Sequence, residues 1–201
     1  MSIKYNQVKK LFNRTYANRG MSLEEDISLS NEYYRYNDKA VIYKKPTPIT
    51  ITKVNYPSRK EAVIKEAYFK TPSTTDYNGI YKGKYIDFEA KETKNKTMFP
   101  LNNIHTHQIK HLESIEKHGG IGFLIVRFTT LNKTYFLTLN KLLEFINNSS
   151  RKSIPLTYFE KNGYLIKDKY NPRVDYLEII DKLYFNGGKY ERWIKKYDKI
   201  Y

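Results

Sequence analysis

The sequence predicts a mixed α/β sandwich, a β-sheet flanked by helices. Two observations lead there. Strand-like and helix-like segments alternate along the chain, and one run, Ile121-Gly122-Phe123-Leu124-Ile125-Val126, is almost continuously apolar. Such a run suits a strand buried on both faces, which requires covering layers on either side of the sheet. At 201 residues the chain can bury a sizeable core. No internal repeat or low-complexity linker divides it, so residues 1–201 are expected to form one domain.

The elements follow in order. Ser22 is placed as the N-cap of a first helix, with Glu25 three positions on as its capping-box partner. Leu23, Ile27 and Tyr34 share roughly one face, and the helix is expected to end near Asn37. Ala40-Val41-Ile42-Tyr43 reads as a short apolar strand. Between Lys44 and Lys53, Pro46 and Pro48 exclude a central strand, and the alternation Ile49-Thr50-Ile51-Thr52 suggests an extended, exposed ribbon. Gly79 to Tyr81 and Lys84 to Lys91 form a hairpin turning at Lys82-Gly83. Leu101 to His118 reads as a second helix with Ile104, Ile109 and Leu112 as apolar positions, ended by Gly119-Gly120. After the Ile121–Val126 strand comes another, Lys133 to Leu139, then a short helix capped by Asn140 and running through Phe145. A last helix spans Val174 to Tyr184, beyond Pro172.

The charge balance speaks about partners. Lys and Arg total 36 against 21 Asp and Glu, a formal net charge of +15, so a polyanion is expected. Heavy use of Lys, Asn and Ile, with twenty Tyr, also fits an A- and T-rich coding sequence, which offers codon drift as an alternative source for part of the charge. No stretch approaches the ~18 consecutive apolar residues of a spanning helix, and Met1 to Phe12 lacks the apolar run of a secretory signal. Cysteine is absent, which excludes disulfides and thiolate metal sites and suits a reducing cytoplasm. Nucleic acid is therefore the expected partner, with no membrane. Tyr56 to Lys70 sharpens this: Arg59, Lys60, Lys65 and Lys70 interleave with Tyr56, Tyr68 and Phe69, so cations can hold phosphates while rings stack on bases. The competing assignment buries Val63, Ala67 and the rings in the core and leaves the lysines merely solvated.

The chemistry concentrates in Asp76, Glu89 and Lys91. The two-residue period puts Asp87, Glu89 and Lys91 on one face of a strand and Ile86, Phe88 and Ala90 on the other, and the hairpin can bring Asp76 alongside. Two carboxylates so placed can hold a hard divalent cation, Mg2+ or equally Mn2+. Such a cation activates a water and neutralises charge building on a phosphate. A lysine two residues from a ligand can orient that water or stabilise the same charge. Acid, spacer, acid, any residue, lysine is the short signature of restriction-type nucleases; on its own it also describes a solvated strand face.

The surrounding residues make the resemblance specific. Ser73-Thr74-Thr75-Asp76-Tyr77-Asn78-Gly79-Ile80-Tyr81-Lys82-Gly83 runs on into Tyr85-Ile86-Asp87-Phe88-Glu89-Ala90-Lys91-Glu92-Thr93. With Asn18-Arg19-Gly20-Met21, Lys45-Pro46-Thr47-Pro48, Ala62 to Lys70 and Phe99-Pro100-Leu101, it resembles the RecU family of Holliday-junction resolvases from about Asn18 to Phe185. The resemblance implies a restriction-endonuclease-like fold with a protruding stalk over residues 45–71. It implies a homodimer that nicks opposing strands of four-way junction DNA with Mg2+, in recombination and repair, with recombinase and branch-migration proteins as further partners. It implies metal ligands Thr74, Asp76, Glu89 and Gln108, with Lys91 stabilising the transition state and Arg19 and Arg59 at DNA-binding positions. Pro72 departs from the wider nuclease pattern in not directly preceding Asp76, and the tail after Phe185 matches less well.

Without the resemblance, Gln108 reads as a solvated helix residue and Thr74 as a turn residue bonding backbone. Glu24 and Glu25 belong to the helix start, though an acid there can reach a metal. His107 and His111 have the i, i+4 spacing of a metal pair but lack the adjoining acid of the zinc motif, so with His105 and His118 they read as partly exposed polar-face residues. A junction presents two equivalent strands, which a twofold-symmetric enzyme matches. The alternatives are a same-fold nuclease acting on other DNA, a non-catalytic DNA-binding recombination or chromosome-segregation factor, and, least supported, an RNA-binding module.

Overall fold

The first helix begins where the sequence says it should. A computed structural model of the chain describes residues 22–70 and 74–185. In it Glu25 N–H donates to Ser22 Oγ (3.2 Å) and Ser22 N–H to the Glu25 carboxylate (2.9 Å), starting α1 (Leu23–Tyr36), which Asn37 caps. From there the chain makes β1 (Val41–Lys44), β2 (Ile49–Asn55), β3 (Val63–Phe69), β4 (Tyr77–Tyr81), β5 (Lys84–Thr93) and β6 (Met98–Pro100). Then come α2 (Thr106–Lys117), β7 (Ile121–Phe128), β8 (Lys133–Thr138), α3 (Leu139–Asn148), β9 (Ser153–Pro155), α4 (Leu156–Asn162), β10 (Tyr164–Ile166) and α5 (Tyr176–Ile180).

Six strands form one mixed sheet in the order β1-β4-β5-β7-β8-β10. The β4–β5 hairpin turns at Lys82 (φ 48) and Gly83 (φ 74); positive φ at both central residues is what a two-residue hairpin loop matching strand twist requires. β5 and β7 pair in parallel, Glu89 opposite Leu124, and α2 makes the crossover between them. All eight residues of β7 are buried, as its apolar run predicts. Its alternate side chains enter two separate cores. Ile121, Phe123 and Ile125 join Ile86, Phe88, Leu23 and Tyr176, while Leu124, Val126 and Phe128 join Leu112, Leu142 and Phe159. The expected mixed sheet flanked by helices is therefore present.

β2 and β3 pair only with each other, and every residue of both is exposed. They make a two-stranded ribbon separate from the main sheet. Exposure of Val63 and Ala67 excludes the assignment that placed them in the core.

Three boundaries differ from the sequence expectation. The helix expected over 101–118 is interrupted: Leu101–Asn103 is a 3-10 turn, Ile104 is extended (φ −112), and α2 starts only at Thr106. His105 N–H, which a continuous helix would direct to Leu101 O, instead donates to the Gln108 side-chain carbonyl (3.0 Å), so the helix starts afresh there. Thr138, not Asn140, caps α3, its hydroxyl accepting Lys141 N–H at 3.3 Å. The helix expected from Val174 is shorter, because Val174 bridges to Asp168 and α5 passes into a π turn at Asp181–Phe185. The β6–β9 pair, α4 and the edge strand β10 had no clear signal in the sequence.

Candidate active site

Glu89 lies mid-strand on β5, wholly buried, on the sheet face that α2 covers. Asp76, just ahead of β4, is held beside it: Asp76 N–H donates to Glu89 Oε2 at 3.2 Å, and the Asp76 carboxyl lies near enough to act on that of Glu89. Lys91, two residues along the same face, brings Nζ to 2.6 Å from Glu89 Oε1. That contact lacks hydrogen-bond direction, so Oε1 is a buried oxygen with no directed donor. Burial, and after it the neighbouring Asp76, push the Glu89 carboxyl up to about 8 against the opposing pull of Lys91. Two adjoining carboxylates, one of them buried, with a single ammonium between them leave the place short of positive charge, and a hard divalent cation fits it. Among the described residues no cluster of three His, Asp or Glu reaches metal-binding geometry, so neutral oxygens or water must complete any coordination shell.

Asp76 opens onto a groove lined also by Glu24, Lys44, Lys45, Thr74 and Thr75. Of Glu24 and Glu25 in the first turn of α1, Glu24 reaches this groove and pairs with Lys44, whereas Glu25 is committed to Ser22. The Glu92 carboxylate accepts Leu23 N–H (2.7 Å), which ties the α1 N-terminus to β5. Thr74 stands at the groove with no strong partner, its hydroxyl 3.5 Å from Thr75 O. Gln108 is buried rather than solvated, and its side-chain carbonyl accepts His105 N–H (3.0 Å) at the start of α2. It makes no hydrogen bond to Asp76 or Glu89, so the structure brings Asp76, Glu89 and Lys91 together and leaves Gln108 as a helix cap with one carbonyl lone pair to spare.

The family model described as "RecU: Recombination protein U" matches residues 18–182. The chain belongs to the RecU family. A protein of Geobacillus sp. (strain WCH70) named "Holliday junction resolvase RecU" is 57% identical over 178 residues, covering 87% of this chain and 89% of its own. One of the same name from Geobacillus thermodenitrificans is 58% identical over 173 residues, covering 85% and 86%. The namesake from Bacillus cytotoxicus is 52% identical over 183 residues, covering 90% and 92%. Among solved structures, Hjc, a Holliday junction resolvase from Archaeoglobus fulgidus, aligns with a TM-score of 0.44 at 11% identity, over 73% of this chain and 96% of that one.

The RecU match spans both the carboxylate cluster and the ribbon. Arg59 and Lys60 lie in the connection between the ribbon strands, Lys65, Tyr68 and Phe69 on β3, and Lys70 at its end; all are exposed. Phe69 is the extreme case at 85%. A ring this exposed does not belong to a core strand. Arg19 lies outside the described residues. Of the histidines, His111 is more than a polar-face residue: its Nε2 lies 3.1 Å from Asp87 Oδ2. Asp87 and Lys45 were not singled out from sequence. Asp87 shares the face of Glu89, but a buried aspartate there cannot be told from a solvated one until its partners, 24 and 42 residues away, are placed.

Proposed function

We propose that this chain is a structure-specific endonuclease that resolves four-way DNA junctions by nicking opposing strands as a homodimer. The observation that carries the reading is the coincidence of a RecU match over most of the chain with a groove into which Asp76, beside the buried Glu89 and its partner Lys91, opens. The cation is Mg2+, with Mn2+ as substitute, since oxygen donors accept both. When bound it supplies an activated water and offsets negative charge on the phosphate under attack.

The chain's own residues do the rest. Asp76 and Glu89 hold the cation, with the hydroxyl of Thr74 and the carbonyl of Gln108 as neutral donors. Lys91, kept close by Glu89, presents an ammonium to the charge that develops on the phosphate. Arg19, Arg59, Lys60, Lys65 and Lys70 meet phosphates, which positions the protein by shape rather than sequence and makes binding fall steeply with salt. Tyr68 and Phe69, exposed at the end of β3 nearest the ribbon's roots, stack on unpaired bases of the junction.

The test is cleavage of a synthetic four-way junction with and without Mg2+, mapped on a denaturing gel beside Asp76→Asn. Paired symmetric nicks that need the cation and vanish in the variant, with junction binding retained, are expected. Equal cutting of linear duplex points instead to a nuclease of other substrate. Tight junction binding with no cutting under Mg2+ or Mn2+ makes the chain a binding factor and overturns the proposal.

A further inference from the structure

Close to the carboxylate cluster sits a second polar cluster that the nuclease reading leaves without a role. Asp87 is fully buried on β5, on the same face as Glu89, and is surrounded by donors from four places in the chain. Lys45 Nζ lies 2.8 Å from Oδ2, His111 Nε2 3.1 Å and Tyr85 OH 3.2 Å from the same oxygen, and the Thr75 hydroxyl donates to Oδ1. Lys45 Nζ also reaches Thr75 Oγ1 at 3.0 Å. Lys45 stands where the chain leaves the sheet for the β2–β3 ribbon, and Thr75 where it returns. One carboxylate therefore ties down both roots of the ribbon.

The same ties fix Asp76. Its carbonyl accepts Lys45 N–H at 2.7 Å, its own N–H is held by Glu89, and the residue before it is clamped to Asp87 through Thr75. An ionised side chain withdrawn from water is costly unless its partners are well placed, and an apolar substitute of similar volume often serves stability as well or better. A buried charge at this position is therefore better explained by the geometry it imposes than by stability. We infer that Lys45, Asp87 and Thr75 are positioning residues: they hold Asp76 at the spacing from Glu89 that a divalent cation needs, and they tie that spacing to the roots of the ribbon. The inference rests on Asp76 and Glu89 being the cation site.

The test separates positioning from simple charge. A lysine acting only as a nearby positive charge repels the cation, so Lys45→Met would then tighten binding. A positioning lysine gives the opposite sign. Mn2+ binding to the full chain without DNA is measured from the free-ion EPR signal, for wild type, Lys45→Met, Thr75→Val and Asp76→Asn. The Thr75 change removes the tie without altering charge. Lys45→Met and Thr75→Val are both expected to weaken Mn2+ binding by about 10–100-fold, the range for supporting partners of metal ligands. They should raise the Mg2+ needed for half-maximal cutting in parallel, with the rate recovering at high Mg2+. Junction binding in EDTA should stay within about threefold of wild type, because at most one phosphate contact is affected. Unchanged or tighter Mn2+ binding in Lys45→Met overturns the inference; should that variant fail to fold, wild-type affinity in Thr75→Val does so alone. Asp76→Asn keeps the two failures apart: if it still binds Mn2+ and still cuts, the cation site itself is misassigned, whatever the other variants do.

Discussion

Replacing Glu89 with glutamine is expected to make the metal-free protein more stable at neutral and alkaline pH while abolishing cutting. Burial, then the adjacent Asp76, raises the Glu89 carboxyl from an ordinary 4.5 to about 8. The folded value lies above the unfolded one, so the folded chain binds this proton more tightly. The stability it contributes is fully present below about pH 4.5 and is lost as pH rises through about 8. At 1.36 kcal/mol per pH unit the whole change is roughly 5 kcal/mol, of which roughly 3 kcal/mol is gone by pH 7. The amide of the variant has no proton to lose in this range. In urea unfolding with EDTA, the stability of Glu89→Gln relative to wild type should therefore rise by several kcal/mol from pH 5 to pH 9. Added Mg2+ should restore wild type at the alkaline end and do little for the variant, since only a cation-binding carboxylate links metal to folding. A difference that stays flat between pH 5 and pH 9 would refute the argument that burial and Asp76 hold this carboxyl protonated.

Three further outcomes follow from individual contacts. Asp26 is buried in α1 between Arg127 (2.7 Å) and Arg173, so Asp26→Ala removes the carboxylate that both guanidiniums share and should cost about 3 kcal/mol in chemical unfolding. Phe69→Ala, at a residue 85% exposed, should leave unfolding within ~0.5 kcal/mol of wild type but weaken junction binding by about 1–3 kcal/mol in a gel-shift titration. A Cβ at Gly79 would collide with Val41 O across the β1–β4 pair, so Gly79→Ala should destabilise by about 1–3 kcal/mol and raise amide exchange in β1.

Much of this architecture was legible because its causes are local. Ser22 and Glu25 form a cap from residues three apart, Lys82-Gly83 supplies two positive φ angles in succession, and the apolar run of β7 declares burial on both faces. The two-residue period likewise puts Glu89 and Lys91 on one face. Where a side chain takes over a backbone donor or the chain folds back on itself, local reading fails. The Gln108 carbonyl takes His105 N–H, and the helix expected from 101 breaks at Ile104. Gln108 reads as a solvated glutamine, yet α2 folds back over β5 and β7 and buries it.

The sequence by itself determined the alternation of elements, the faces of β5 and, through motif resemblance, the RecU family. Only the tertiary structure decided which acid at the α1 start reaches the groove, that Glu89 is buried deeply enough to lie near 8, and that Asp87 rather than solvent receives Lys45. The physical reason is range. Caps, turns and strand periods are set within a few residues, whereas the solvation and charge of a carboxylate depend on every element folded around it. Asp87 and its lysine are 42 residues apart in the chain and 2.8 Å apart in space.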